Sequence, residues 1–95
     1  MTKPLTIMCV GDLFGEPGRR AAETLVPKLR KQYDVDFAIV NVENAAAGYG
    51  VTPQIARSVL EHGADVMTSG NHIWDRKDII EYIVKENLLL RPANF

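Results

Sequence analysis

Two hydrophobic periods alternate along this chain, and that alternation limits the folds open to it more than any single motif does. Short, nearly continuous apolar runs occupy 5–10, 37–42, 65–69 and 88–90, most of them ending in polar residues. Between them apolar residues recur at helical spacing: Ala21, Ala22, Leu25, Val26 and Leu29, then Ile55, Ala56, Val59 and Leu60, then Ile79, Ile80, Ile83 and Val84. The runs begin roughly thirty residues apart, the length of a right-handed unit in which a helix joins two parallel strands. The expected fold class is therefore α/β, a parallel sheet of βαβ units. Runs this apolar suit strands buried on both faces, and Cys9, inside the first, suits a small buried hydrophobe.

Local punctuation agrees with the periods. Thr52 and Pro53 predict an N-cap followed by proline in the first helical turn, and Gly63 predicts the end of that helix. Asp75 is expected to cap the third helix. Pro27 predicts a kink or a break in the first.

Ninety-five residues hold one small domain, so residues 1–95 are read as a single partial domain. Apolar residues at 46% and charged residues at 24% are ordinary for a globular chain and exclude disorder. The formal net charge of -1, with scattered Lys and Arg, gives no footprint for general nucleic-acid binding or an anionic membrane. One cysteine excludes an internal disulfide, and no apolar run is long enough for a signal-peptide core or a membrane span. The default expectation is a cytoplasmic protein, with a homo-oligomer open to it.

The chemistry collects just after the first three runs: Asp12, then Glu43 with Asn44, then Asn71 with His72. In a parallel sheet these positions share one edge, outside the carboxyl ends of the strands, where such sheets bind ligands. Each also has a plain reading. Asp12 suits a turn, Asn44 a left-handed backbone position, and Glu43 an ion pair with Arg19 or Arg91. His62, beside Gly63, is explained by the end of its helix and stays outside the site.

Taken together, two carboxylates and an amide around one edge suit oxygen-rich coordination of manganese, iron or magnesium, whereas structural zinc prefers cysteines or several histidines. Two metals could then be bridged by Glu43, with His72 as proton donor or phosphoryl contact, which implies phosphoester hydrolysis. A rival reading takes the glycine-rich turn at 11–18 for a dinucleotide-binding loop with Glu43 on the ribose. Against it, Asp12 and Glu16 put negative charge where a pyrophosphate would lie, and Pro17 removes a backbone donor. A non-catalytic assembly module, seeking a partner for an exposed sheet edge, is a third reading.

The motifs Gly11-Asp12, Gly15, Gly18-Arg19, Asn41-Val42-Glu43-Asn44, Gly70-Asn71-His72-Ile73-Trp74-Asp75 and Arg91-Pro92-Ala93-Asn94-Phe95 resemble, in order and spacing, the YmdB-like bacterial metallophosphoesterases of the calcineurin-like group. The resemblance implies the first half of a metallophosphoesterase α/β sandwich. It implies two metal ions, iron or manganese, and hydrolysis of 2′,3′-cyclic nucleotides through a metal-activated water. By position, Asp12 would bind the first metal, Glu43 would bridge, Asn71 would bind the second, Asn44 would lie beside them as a further candidate, and His72 would be the catalytic histidine. Phe14 stands where the wider group has a histidine, a departure shared with the YmdB-like branch. The family is more than twice as long, and its second half supplies further histidine ligands. No histidine follows His72 here, so these 95 residues alone are expected to be inactive.

Overall fold

The computed structural model describes residues 4–95. Its elements run β1 (Ile7–Val10), α1 (Gly15–Gln32), β2 (Phe37–Asn41), α2 (Pro53–Glu61), β3 (Val66–Thr68) and α3 (Ile79–Lys85). The three strands form one parallel sheet in the order β1-β2-β3, so the α/β alternation holds. No helix among the described residues is long and apolar enough to cross a membrane.

Strand order decides which face is covered. Successive right-handed crossovers that step the same way across a sheet put their helices on the same side. The core accordingly gathers Val40 and Met67, register partners on one face, with Ala56 and Val59 of α2, Ile79 of α3, and Leu13, Val42, Val51, Ile73 and Leu89 from the connections. On the opposite face Ile7 and Phe37, also register partners, are 51% and 40% exposed. The expectation of strands buried on both faces is thus corrected: only one face is packed, and Cys9 is exposed on the other.

The helices follow their local signals with two exceptions. Thr52 Oγ1 accepts from the Ile55 N–H at 3.2 Å, and Gly63 just past α2 has φ +112°. His62 Nδ1 lies 2.7 Å from the Ser58 carbonyl oxygen, consistent with a role at the helix end. Pro27, by contrast, does not break α1, which runs through it for 18 residues. Buried Val26 holds that stretch to the core, and beyond the proline Arg30 reaches the Gly63 carbonyl oxygen at 2.8 Å. These anchors offset the hydrogen bond that proline cannot donate. Nor does Asp75 cap α3, which starts at Ile79, so the turn between them is longer than the sequence suggests. Val84, placed on the apolar face of α3 by its spacing, is 78% exposed because only Ile79 of this short helix is fully buried. The expected fourth strand is reduced to one parallel bridge, Leu89 to Met67, before Arg91-Pro92 ends the pairing.

Asp65 ties three elements together. Its carboxylate accepts from Arg30 of α1 and, at 2.7 Å, from the Ala38 N–H of β2. Burial alone would push this carboxyl up, but the hydrogen bonds from Arg30 and Ala38 and the charge of Arg30 outweigh it and hold it below the ordinary aspartate range. A depressed native value means the stabilisation is complete above the unfolded value of about 4 and is lost as pH falls through the native one. Chemical denaturation from pH 6 to pH 2 is expected to show an acid-side loss of stability that Asp65→Asn reduces. An identical pH dependence in that variant would remove the assignment.

Candidate functional site

The loops leaving β1, β2 and β3 carry the candidate residues, and backbone pairing brings the first two loops together. The Leu13 N–H donates to the Asn41 carbonyl oxygen at 3.2 Å, and the Gly15 N–H donates to that of Asn44 at 3.1 Å. Leu13 is buried, while Asp12 and Phe14 on either side are exposed. Asp12 takes φ +36°, a conformation uncommon outside glycine but tolerated by aspartate. The left-handed position therefore belongs to Asp12 and not to Asn44. The Asn44 side-chain amide donates to Asp12 Oδ1 at 2.6 Å, so these two residues from successive loops are in direct contact.

Glu43 sits just past β2, half-buried. Its backbone N–H donates to Asn41 Oδ1 at 3.3 Å, and its Oε1 faces Asn41 Nδ2 at 3.5 Å. Neither arginine proposed from sequence pairs with it. Arg19 instead donates to the Ala45 carbonyl oxygen at 2.6 Å, and Arg91 turns to the carbonyl oxygens of Pro92 and Phe95. The Glu43 carboxylate lies against Gly70, just beyond β3: a Cβ at Gly70 would stand 2.6 Å from Oε1 and 2.5 Å from Cδ. Gly70 thus serves by having no side chain, and its φ is not left-handed.

Alanine at Gly70 meets only the far end of a flexible side chain, so Glu43 can swing away and the fold should lose less than about 1 kcal/mol. The displaced carboxylate matters more. Under the function proposed below, Gly70→Ala is expected to lower kcat about 100-fold, the scale of a misplacement near 1 Å at a reacting centre. A full-activity variant would show that Glu43 has no need of its present position.

His72 and Asp75 close the third corner. His72 Nδ1 lies 2.8 Å from Asp75 Oδ2, in place of the helix cap expected of Asp75. The turn is built by the Ile73 N–H on the Gly70 carbonyl oxygen and the Asp75 N–H on that of His72, both 3.1 Å, with Ile73 fully buried beneath. Gly50, at φ +79°, packs against its outer side, where a Cβ would stand 2.6 Å from the His72 carbonyl oxygen. Arg76 fastens the same loop through the Tyr49 and Ala46 carbonyl oxygens at 3.2 and 3.4 Å. Asn71 is exposed and its side chain makes no hydrogen bond among the described residues.

Sequence reasoning missed the roles of Asp75, Gly50, Gly70 and Asn41. The three-residue spacing of His72 and Asp75 was the one visible clue, since such a spacing brings side chains together in a tight turn. Asp12, Glu43, Asn44 and Asn71 offer hard oxygen donors at one sheet edge, and the space left by Gly70 keeps the Glu43 carboxylate there. Among the described residues no group of three or more His, Cys, Asp or Glu side chains could hold a metal ion. The donors present fit part of an oxygen-rich metal site.

Known proteins resemble the chain in both sequence and structure. It is 46% identical over 91 residues to a 2′,3′-cyclic-nucleotide 2′-phosphodiesterase of Bacillus subtilis, covering 96% of the chain and 34% of that protein. Its structure is similar to that of a phosphatase from Mycoplasma pneumoniae, with TM-score 0.90 and 29% identity, covering 97% of this chain and 33% of the other. A hypothetical protein from Thermus thermophilus aligns with TM-score 0.82 and 36% identity over 94% of this chain and 34% of its own. The chain therefore spans about a third of the length of these relatives. Residues 8–95 match the YmdB-like protein family, with all three sheet-edge loops inside the match, and the chain belongs to that family.

Proposed function

We propose that this chain forms part of the active site of a metal-dependent phosphodiesterase acting on 2′,3′-cyclic nucleotides. The observation that carries the reading is the gathering of Asp12 with Asn44, Glu43 with Gly70, and His72 with Asp75 at the carboxyl end of one parallel sheet. The name of the B. subtilis relative supplies the substrate class. Asp12, Glu43 and Asn71 would hold two metal ions, iron or manganese with magnesium as the alternative, and Asn44 would orient Asp12 while its own oxygen stays available. Bound ions of this kind supply Lewis acidity toward a phosphodiester and lower the pKa of water.

The chain's own residues would do the rest. Glu43, held between Asn41 and Gly70, presents a carboxylate from the middle strand, the position best placed to serve both outer loops. His72 delivers a proton to the leaving oxygen or stabilises charge on the phosphoryl group through Nε2, since Nδ1 is engaged by Asp75. Since no three His, Cys, Asp or Glu side chains among the described residues gather around a metal position, full activity would draw ligands from outside them. The 95 residues alone would be inactive, and the working unit is one longer cytoplasmic polypeptide or a homo-oligomer.

The test is hydrolysis of 2′,3′-cyclic AMP by the full-length protein carrying this segment. Activity should disappear on chelation and return with manganese. Hydrolysis indifferent to chelation, or none in the manganese-loaded protein, would sink the reading.

A further inference from the structure

We propose that the Phe14 ring is the surface on which the nucleobase of the substrate stacks, with purines as the favoured class; this deepens the hydrolytic reading above and rests on it. Neither burial nor local structure accounts for a phenyl ring at this position. Phe14 is 56% exposed, although Leu13 beside it is buried. It also holds the N-cap position of α1, where a side-chain oxygen would accept from the first turn, and it makes no cap hydrogen bond. A single exposed apolar side chain needs no explanation by itself. Phe14 differs in where it stands and in what holds it.

Asp12 and Phe14 flank buried Leu13, so both are exposed at the sheet edge where the candidate residues gather. The Asn44 side chain touches Asp12, and its carbonyl oxygen accepts from the Gly15 N–H at 3.1 Å and the Gly48 N–H at 2.9 Å. Asn44 thus links the Asp12 corner, the backbone just after Phe14 and the loop that lies against the ring. A Cβ at Gly48 would stand 3.0 Å from Cε2 and 3.1 Å from Cζ of Phe14, so on that side the ring rests on bare backbone. Gly48 is at φ +86°, and glycine is therefore required there both for the turn and for the ring. The loop is closed by the Ala46 N–H on the Gly50 carbonyl oxygen at 2.8 Å and the Tyr49 N–H on that of Ala46 at 3.0 Å. Arg19 and Arg76 hold it through the carbonyl oxygens of Ala45, Ala46 and Tyr49. A ring backed by so fixed a loop has little freedom left to lose when its open side is covered.

The substrate supplies a matching group. In a 2′,3′-cyclic nucleotide the base leaves C1′, next to the C2′ that carries the phosphodiester, so a phosphoryl group held at the Asp12 corner brings the base alongside. Stacking on an aromatic ring suits any base, because every base has a π-face. Phe14 has no hydrogen-bonding group with which to read base edges, so it discriminates by stacking area alone, which favours purines over pyrimidines.

The experiment compares two cyclic phosphodiesters on the full-length, manganese-loaded protein: 2′,3′-cyclic AMP, and glycerol 1,2-cyclic phosphate, which has the same five-membered ring and no base. The ratio of their kcat/KM values is expected to fall about 5- to 100-fold in Phe14→Ala and Phe14→Leu, the scale of one lost base-stacking contact, chiefly through KM for the nucleotide. Phe14→Tyr, which keeps the π-face, should hold the ratio within about threefold. An equal loss on both substrates would mean that the ring packs against the rest of the polypeptide; it overturns the base contact and leaves hydrolysis standing, as does an unaltered ratio. A ratio kept in Phe14→Leu and lost in Phe14→Ala overturns stacking in favour of plain apolar contact. Hydrolysis of neither substrate by the unmutated protein overturns the hydrolytic reading, and the base contact with it.

Discussion

Under the proposed function, His72→Ala in the full-length protein is expected to lower kcat on a 2′,3′-cyclic nucleotide by about 10²- to 10⁴-fold, the range covered by a positioned general acid. The argument starts from geometry. Nδ1 is committed to Asp75 at 2.8 Å, so only Nε2 is free for chemistry, and the turn carrying the ring is fixed by Ile73 and Gly50. KM should change little, because the proton matters in the transition state and not in binding. Leaving-group dependence then separates the two roles open to the ring. A ribose hydroxyl leaves poorly without a proton, whereas p-nitrophenolate leaves readily as an anion. If His72 is the acid, the loss in His72→Ala should shrink markedly with bis(p-nitrophenyl) phosphate. An equal loss on both substrates would instead make His72 a stabiliser of phosphoryl charge, and no loss on either would remove it from the site.

Ile73→Ala is expected to cost about 2–5 kcal/mol of stability, the usual range for truncating a buried aliphatic side chain when the surroundings relax only partly. Ile73 is fully buried and belongs to the same core cluster as Val42, Val51, Met67 and Ile79, at the point where the turn following β3 meets the core. A domain of this size has of order 5–15 kcal/mol in total, so the variant would approach the threshold of folding. Ile80→Ala, at a 48% exposed position, is the control and should stay within about 0.5 kcal/mol. Urea denaturation of both, with the slope checked for two-state behaviour, decides the matter; equal midpoints would mean that the turn is not held by this side chain. Because Ile73 separates His72 from Trp74, the same substitution should loosen the His72–Asp75 geometry before the protein unfolds.

The parts of this fold legible in the sequence are those that neighbours along the chain decide. The apolar runs around Val40 and Met67, the cap at Thr52 and the stop at Gly63 each follow from periodicity or from a residue's own backbone preferences, and each is present. The convergence of Asp12, Glu43 and His72 on one edge was legible for the same reason, since parallel strands joined by helices must end together. Local reasoning failed where a distant group competed. Asp75 looked like a cap because its neighbours suit a helix, yet the imidazole three residues away holds its carboxylate. Nothing beside Gly70 in the sequence shows that its use is the space it leaves for a carboxylate from another loop.

By itself, then, the sequence determined the order of strands and helices and the edge at which the polar groups collect, because both depend on spacing along the chain. Only the tertiary structure decided that the three strands lie in the order β1-β2-β3, and with it that the Val40–Met67 face is packed while the face of Ile7, Cys9 and Phe37 is exposed. It likewise decided that Asn44 meets Asp12, 32 residues away, and that Arg19 turns to the Ala45 carbonyl oxygen and Arg91 to those of Pro92 and Phe95 instead of pairing with Glu43. The physical reason is the same in each case. Period and propensity are properties of a few adjacent residues, whereas the partner of a side chain depends on which distant backbone the packing of the core brings beside it.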